Sequence, residues 1–413
     1  MTMSRLFADT APLKVAPFRW LWLTSIITII GGHLTVVAVP AQIFALTSSS
    51  GYVGLTGLFG LIPLLIFGLY GGSIADAFDK RTVLMVTTSG LTLSTVLFWG
   101  LSAAGNTNVW LLLGAYSVQQ AFFAVNQPTR TAIFPRILPM DELPAAISLN
   151  MTVLHLGAIM GPLLAGALLP FTGFTWLYAI NTVALIPTFV AVFVLPPIPP
   201  NAKAQKAGLA SVINGLKYVA TQPILLASFA VDLTAMVFGM PRALYPEIAT
   251  DVFHSPFMLS LLYASLAIGG ALGGIFSGWV SRWQRQGAAV YVCVIIWGIA
   301  VTVSGLGVVG KVAWIVIGAL IIGGMADMFS SAFRNAIMQQ SASDEVQGRV
   351  QGAYMVIVLG GPRLADMAHG ALSEYIGPGW TTLGGGILVV IGALVCLALL
   401  PGLWHYRKPS VAR

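Results

Sequence analysis

A handful of ionisable side chains stand inside stretches that otherwise read as oil. LGGPRLADMAHGAL (359–372) carries Arg363, Asp366 and His369, ASFAVDLTAM (227–236) carries Asp232, and IIGGMADMFSS (321–331) carries Asp327. A charged side chain at the centre of a bilayer costs about 2.5–3.5 kcal/mol even on insertion scales, so each needs a reason. Arg363 and Asp366 are three residues apart on one helix face, and their charges cancel. Asp232 and Asp327 have no basic residue at i±3 or i±4. A desolvated carboxylate without a cation beside it can exchange a proton near neutral pH. These two are therefore the better proton carriers, with the Asp366–Arg363 pair behind them. His33 and His155 also fall mid-run. Either can serve as a proton or solute ligand, although a hydrogen-bonded packing histidine is the commoner use.

The elements that hold these residues must be membrane helices. Of 413 residues, 57% are hydrophobic and only 8% charged, against about 25% charged in soluble chains. Apolar runs long enough to span, about 20 residues each, fall near 18–46, 52–75, 83–104, 109–133, 143–169, 173–195, 223–249, 256–281, 288–309, 312–338, 347–372 and 380–401. The expected fold is all-α with twelve transmembrane helices. The one long polar stretch, PPIPPNAKAQKAGLASVINGLKYVATQP, separates the sixth run from the seventh. It divides the chain into an N-terminal half (1–196), a linker (197–222) and a C-terminal half (223–413). Within the linker Leu209, Val212, Ile213, Leu216 and Val219 recur at helical spacing, which predicts an amphipathic helix on the membrane surface. Cys293 and Cys396 sit alone in apolar runs, so no disulfide, metal site or cofactor is expected. No short signal-peptide core precedes the first run.

Basic residues set the orientation. With the N-terminus inside, seventeen of the 20 Lys and Arg, Arg130 and Arg334 among them, fall at the cytoplasmic ends of the runs. Only Arg242, Lys311 and Arg363 do not. This bias places both termini in the cytoplasm, and it accounts for the net charge of +7 without nucleic acid. The halves also repeat. GLYGGSIADAF ends the second run and GGIFSGWVSRW the eighth. TRTAIFPRILPMDEL and FRNAIMQQSASDEV match in the same way, pairing Arg130 with Arg334.

Two motifs carry a family resemblance. GGSIADAFDKR (71–81) resembles the loop between spans two and three of the major facilitator superfamily, with Gly72, Asp76, Lys80 and Arg81 in place. Ala77 lacks the usual basic residue, and Asp79 replaces a glycine. LGAIMGPLLAGAL (156–168) resembles that superfamily's exporter motif through Gly157, Gly161, Pro162, Ala165 and Gly166. Small residues four apart permit close helix contact, and the proline permits a bend. Along nearly its whole length the chain is similar to the enterobactin (siderophore) exporter branch, which also holds macrolide and other drug-efflux transporters. The resemblance implies two six-helix halves in parallel repeat, spans 3, 6, 9 and 12 facing lipid, and a charged loop that gates alternation. It further implies a monomeric multi-pass protein of the bacterial inner membrane that exports a siderophore or amphipathic drug by antiport against protons. The arginine often tied to coupling in span four is absent. Gln119 and Gln120 stand there, and with Phe123, Asn126, Met236, Phe329, His33 and His155 they are the expected substrate cavity. An importer or facilitator of a small solute is the second reading, and a polytopic membrane enzyme or assembly factor the third. No GxxxxGK[ST] loop supports ATP use, and no Ser-His-Asp, HExxH or Cys-His cluster supports catalysis.

Overall fold

The computed structural model describes residues 9–199, 209–342 and 344–408; side chains at 69–73, 75, 76, 209–212, 281, 344–349 and 355 fall outside that description. Among the described residues every regular element is helical. The first four membrane helices are α1 (Ala16–Thr47), α2 (Ser50–Ala77), α3 (Lys80–Ala103) and α4 (Val109–Thr131). The segment Leu143–Val194 then holds α5 (143–172) and α6 (174–194). They are parted at Gly173, whose φ of 68° and ψ of −179° only glycine adopts readily. The second half contains α7 (Pro223–Phe238), α8 (Pro256–Ile275), α9 (Gln286–Val309), α10 (Ala313–Ser341), α11 (Asp344–Ile376) and α12 (Pro378–Leu399). Among the described residues, nine helical segments are long and apolar enough to cross a membrane, the α5–α6 segment counting as one. The more polar α4 and α11 complete the twelve, in two sets of six.

Exposed apolar residues recur at two-turn spacing on the helices expected to face lipid. Val86 and Leu93 do so on α3, Val183 and Val190 on α6, Ile299 and Leu306 on α9, and Ile387 and Leu394 on α12. Seven residues are nearly two turns, so each pair marks one stripe.

By packing, the chain forms two compact units. One takes Met1–Gln42 and Ile62–Gly208, the other Ile43–Leu61 and Leu209–Arg413. In the first, α3 packs on α4 and on the α5–α6 segment. In the second, α9 packs on α10 and α12, α8 on α10, and α7 on α11 and α12, around a core that includes Val231, Trp297, Phe333 and Val389. The segment 43–61, the end of α1 and start of α2, thus belongs by packing to the second unit.

Two elements differ from expectation. The run 223–249 is not one helix. After Phe238 it passes through Gly239 into a 3-10 turn (Arg242–Leu244), one α-turn (Tyr245–Glu247) and a π-helical stretch (Ile248–Val252). Pro241 and Pro246 lack the amide protons a continuous helix needs. The linker helix (Leu209–Thr221) does form, but its faces divide. Val219 is buried against Leu225, Phe229, Met338 and Tyr354, whereas Ile213 and Leu216 are exposed. Leu209 and Val212 lie outside the described side chains.

Candidate functional site

Asp232 stands midway along α7, Asp327 midway along α10, and Arg334 two turns beyond Asp327 on the same helix. Arg334 Nη2 lies 2.9 Å from Asp232 Oδ1 and 3.8 Å from Asp327 Oδ1, while Nη1 donates to Ser330 Oγ at 2.7 Å. Two expectations are corrected here. Neither carboxylate is without a cation, because the fold supplies one from two turns away and from a neighbouring helix. Arg334 is not a loop charge either; its side chain is 2% exposed. The two carboxylates differ in access, Asp232 being 0% exposed and Asp327 30%. Neither oxygen of Asp232 has an aligned hydrogen-bond donor among the described residues, so the 2.9 Å contact is an ion pair by distance alone. A buried pair without further hydrogen bonds seldom recovers its desolvation cost. Such a group suits a site whose charge must change.

The polar residues of α11 face the broken end of α7. The backbone N–H of Ala243 donates to Asp366, and both Arg242 and Arg363 act on that carboxylate electrostatically. The expected local pair is therefore one part of a larger group. His369 lies one turn on, in hydrogen-bonding reach of the Phe238 and Met240 carbonyls. Ser373, a turn further, donates to Glu247 Oε2 at 2.8 Å, and Ser50 donates to the same oxygen at 2.5 Å. Glu374 Oε1 accepts from Ser49 Oγ at 2.6 Å and from the Gly51 amide at 2.7 Å. Below these bonds α2 presents Gly54 and Gly57 to the α11 backbone. A Cβ on Gly54 would lie 2.7 Å from the Asp366 carbonyl oxygen, so only glycine allows this approach.

In the first unit, Arg130 donates to the Leu21 carbonyl at 2.9 Å and to Ser25 Oγ. It too is a helix-packing residue rather than a loop charge, and its partners are neutral where those of its repeat mate Arg334 are acidic. Gly157 and Gly161 of α5 receive α1. A Cβ at 157 would meet Ile29, and one at 161 would meet His33 Cβ and sit 3.1 Å from the Ile30 carbonyl oxygen. Pro162, Ala165 and Gly166 are buried along the same helix. His33 is half-buried, with Nδ1 2.9 Å from the Ile29 carbonyl; His155 is exposed.

The remaining cavity candidates scatter by environment. Gln119 is half-buried, Gln120 buried and Phe123 exposed. Asn126 is buried and donates to Thr87 Oγ1 at 2.8 Å and Thr88 Oγ1 at 3.2 Å, tying α4 to α3. Met236 is buried in the second unit's core against Gly361. Phe329 packs edge-on to Trp279, with ring centroids 5.1 Å apart. In the gating loop, Gly72 and Asp76 lie outside the described side chains. Lys80 is buried, and its amide donates to the Ile198 carbonyl at 3.0 Å. Arg81 donates to the Phe193 carbonyl at 2.5 Å and lies over that ring. Asp79, the departure from the motif, caps α3 through Thr82 N at 2.9 Å and accepts from Ile198 N at 2.5 Å.

Sequence reasoning passed over Arg334, Arg242, Tyr245 and Glu247 as functional candidates. The seven-residue step from Asp327 to Arg334 was the available signal for the first. The others depend on the break after Phe238, which Gly239, Pro241 and Pro246 announce.

Comparison with known proteins bears on this arrangement. The sequence profile of the Major Facilitator Superfamily matches residues 21–365. The enterobactin exporter EntS of Citrobacter koseri is 25% identical over 401 residues, spanning 96% of this chain and 95% of that protein. EntS of Escherichia coli K12 is 25% identical over 402 residues with the same coverage. Among solved structures, the nucleoside transporter NupG superposes with a TM-score of 0.71 at 13% identity, over 93% of this chain and 99% of that one. A bacterial homologue of the lysosomal transporter Spinster superposes with a TM-score of 0.68 at 15% identity, over 96% and 97%.

Proposed function

Because the chain belongs to the Major Facilitator Superfamily and is a multi-pass membrane transporter, we propose that it exports a siderophore or amphipathic drug-like molecule from the cytoplasm by alternating access, in exchange for protons. The observation that carries the coupling is one buried arginine shared between a dry carboxylate and an accessible one. Asp327, the accessible member, takes the proton. Its hold on Arg334 then weakens, and the guanidinium turns wholly to Asp232. Loss of the proton restores the shared position. The charge of the group thus follows the proton, and the packing of α7 against α10 follows the charge. One proton entering the cell yields about 2.3 kcal/mol per 100 mV of potential and about 1.4 kcal/mol per pH unit. Together these sustain a solute ratio of roughly a few hundred.

The export direction and substrate class draw support from the enterobactin exporters that resemble the chain end to end, and from the α1–α5 contact made by the exporter motif. Proteoliposomes with an imposed pH gradient, using enterobactin and ethidium as probes, test the reading. Asp327→Asn and Asp232→Asn lose gradient-driven transport, while counterflow without net proton movement survives in at least one of them. Normal pumping by both variants overturns the coupling, and accumulation of neither probe overturns the substrate class.

A further inference from the structure

The segment joining α8 to α9 sits at the depth of lipid headgroups. The 20 residues of α8 rise about 30 Å, which is the thickness of the hydrocarbon core. After Ile275 come a 3-10 stretch (Ser277–Arg282) and a short turn, and α9 begins at Gln286. Trp279 is 40% exposed and Trp283 49%. Their rings meet edge-on with centroids 5.6 Å apart, and Phe333 braces Trp279 at 5.7 Å. Tryptophans held at such a depth mark the boundary between hydrocarbon and water.

The last described stretch of the chain is pinned to the same turn. The Lys408 amide donates to the Gln284 carbonyl at 2.9 Å, and the Gly287 amide donates to the Tyr406 carbonyl at 3.3 Å. Tyr406 Oη donates to Gln340 Oε1, near the end of α10, at 3.1 Å. Gly287 has no Cβ, and the Leu403 carbonyl lies where one would be. The paired segments run in opposite directions, 284 against 408 and 287 against 406, so the backbone holds Arg285 and Arg407 beside one another. Both are exposed, as is Arg282. Among the described residues no acidic side chain pairs with any of the three. Like charges set opposite each other destabilise the pairing that holds them, and an anion placed between them reverses the sign of that interaction. A phosphate alone would satisfy the arginines but would gain nothing from the tryptophans. A phosphate carrying acyl chains uses both.

We infer that Arg282, Arg285 and Arg407, with Trp279 and Trp283 beside them, form a docking site for one anionic phospholipid. Its headgroup phosphate meets the arginines, and its acyl chains run along the tryptophans and the end of α8. The site joins the chain's last segment to the α8–α9 turn through the lipid as well as through backbone. It is independent of what the transporter moves and of how transport is driven.

Native mass spectrometry of the full-length protein in a non-ionic detergent counts retained lipids and needs no transported solute. The probes are dioleoyl phosphatidylglycerol, dioleoyl phosphatidylcholine and soluble glycerol 3-phosphate. The expected result is one phosphatidylglycerol held more tightly than any phosphatidylcholine, with glycerol 3-phosphate not retained. A basic residue near an anionic headgroup contributes roughly fivefold in affinity, so Arg285→Gln with Arg407→Gln weakens phosphatidylglycerol roughly 25-fold and leaves phosphatidylcholine unchanged. Trp283→Leu, which keeps every charge, weakens both lipids. Lys14→Gln with Arg19→Gln removes two exposed basic residues of the first unit and leaves retention as in the parent. An equal loss in that control reduces the effect to a general excess of basic residues and overturns the site, as does equal retention of the two lipids. Glycerol 3-phosphate retained as tightly as phosphatidylglycerol overturns the lipid as occupant.

Discussion

Removing Arg334 tests whether Asp232 depends on it. Asp232 is fully buried, its cation is Arg334 at 2.9 Å, and neither oxygen has an aligned donor among the described residues. Arg334→Leu strands that carboxylate, and breaking a buried pair from one side costs about 3–5 kcal/mol. Asp232→Leu costs less, because Arg334 keeps Asp327 at 3.8 Å and Ser330 at 2.7 Å. The double change Arg334→Leu with Asp232→Leu leaves neither ion stranded in the dry pocket, so most of the loss returns. At roughly 2–4 °C per kcal/mol for units of 150–250 residues, the first variant melts some 6–20 °C below the parent. The 11 tryptophans report unfolding in detergent by intrinsic fluorescence, and the same preparations can be reconstituted for transport. The double variant should be stable and uncoupled. If Arg334→Leu melts with the parent, or if Asp232→Leu is the more damaging single change, the dependence argued from the geometry is wrong.

Gly161→Leu forces a side chain into His33 and the Ile30 carbonyl. Overpacking of this kind costs about 1–3 kcal/mol, and transport of ethidium should fall further than its binding measured by equilibrium dialysis; equal losses would instead put residue 161 in contact with solute. Glu374→Ala removes the acceptor of the Gly51 amide. At an exposed site that bond contributes about 1 kcal/mol, so hydrogen exchange at Gly51 should quicken roughly fivefold, and unchanged exchange would mean the bond holds nothing.

The all-α class and the number of helices were legible because burial in lipid imposes long apolar runs whatever the fold's details. The reading failed where polar groups meet across helices. Arg130 and Arg334 stand near helix ends, and a count of basic residues assigns every such residue to a loop. Only packing reveals that both point into protein. Asp366 was paired with Arg363 because spacing along a helix is visible in sequence. Its backbone donor, Ala243, comes from a distant segment that a continuous helix would have hidden. Asn126 reads equally well as a cavity amide or as a tie between α3 and α4, since nothing local to residue 126 distinguishes the two. Asp79 departs from the loop motif, and its use as a helix cap that also holds Ile198 explains why an acidic residue serves there.

The bond between Ser49 and Glu374 joins residues 325 apart, and this has a consequence for biogenesis. The α1–α2 hairpin leaves the ribosome long before α11 exists. At about 5–20 residues per second, the interval is roughly 15–65 s. Throughout that time Gly54 and Gly57 face no α11 backbone, and the amides at the hairpin tip have no carboxylate to meet. A bare glycine face in lipid invites other small-residue helices. The hairpin's glycine face is therefore open to mispairing until α11 arrives, and slowing translation between α2 and α11 should lower the yield of folded protein more than slowing it after α11.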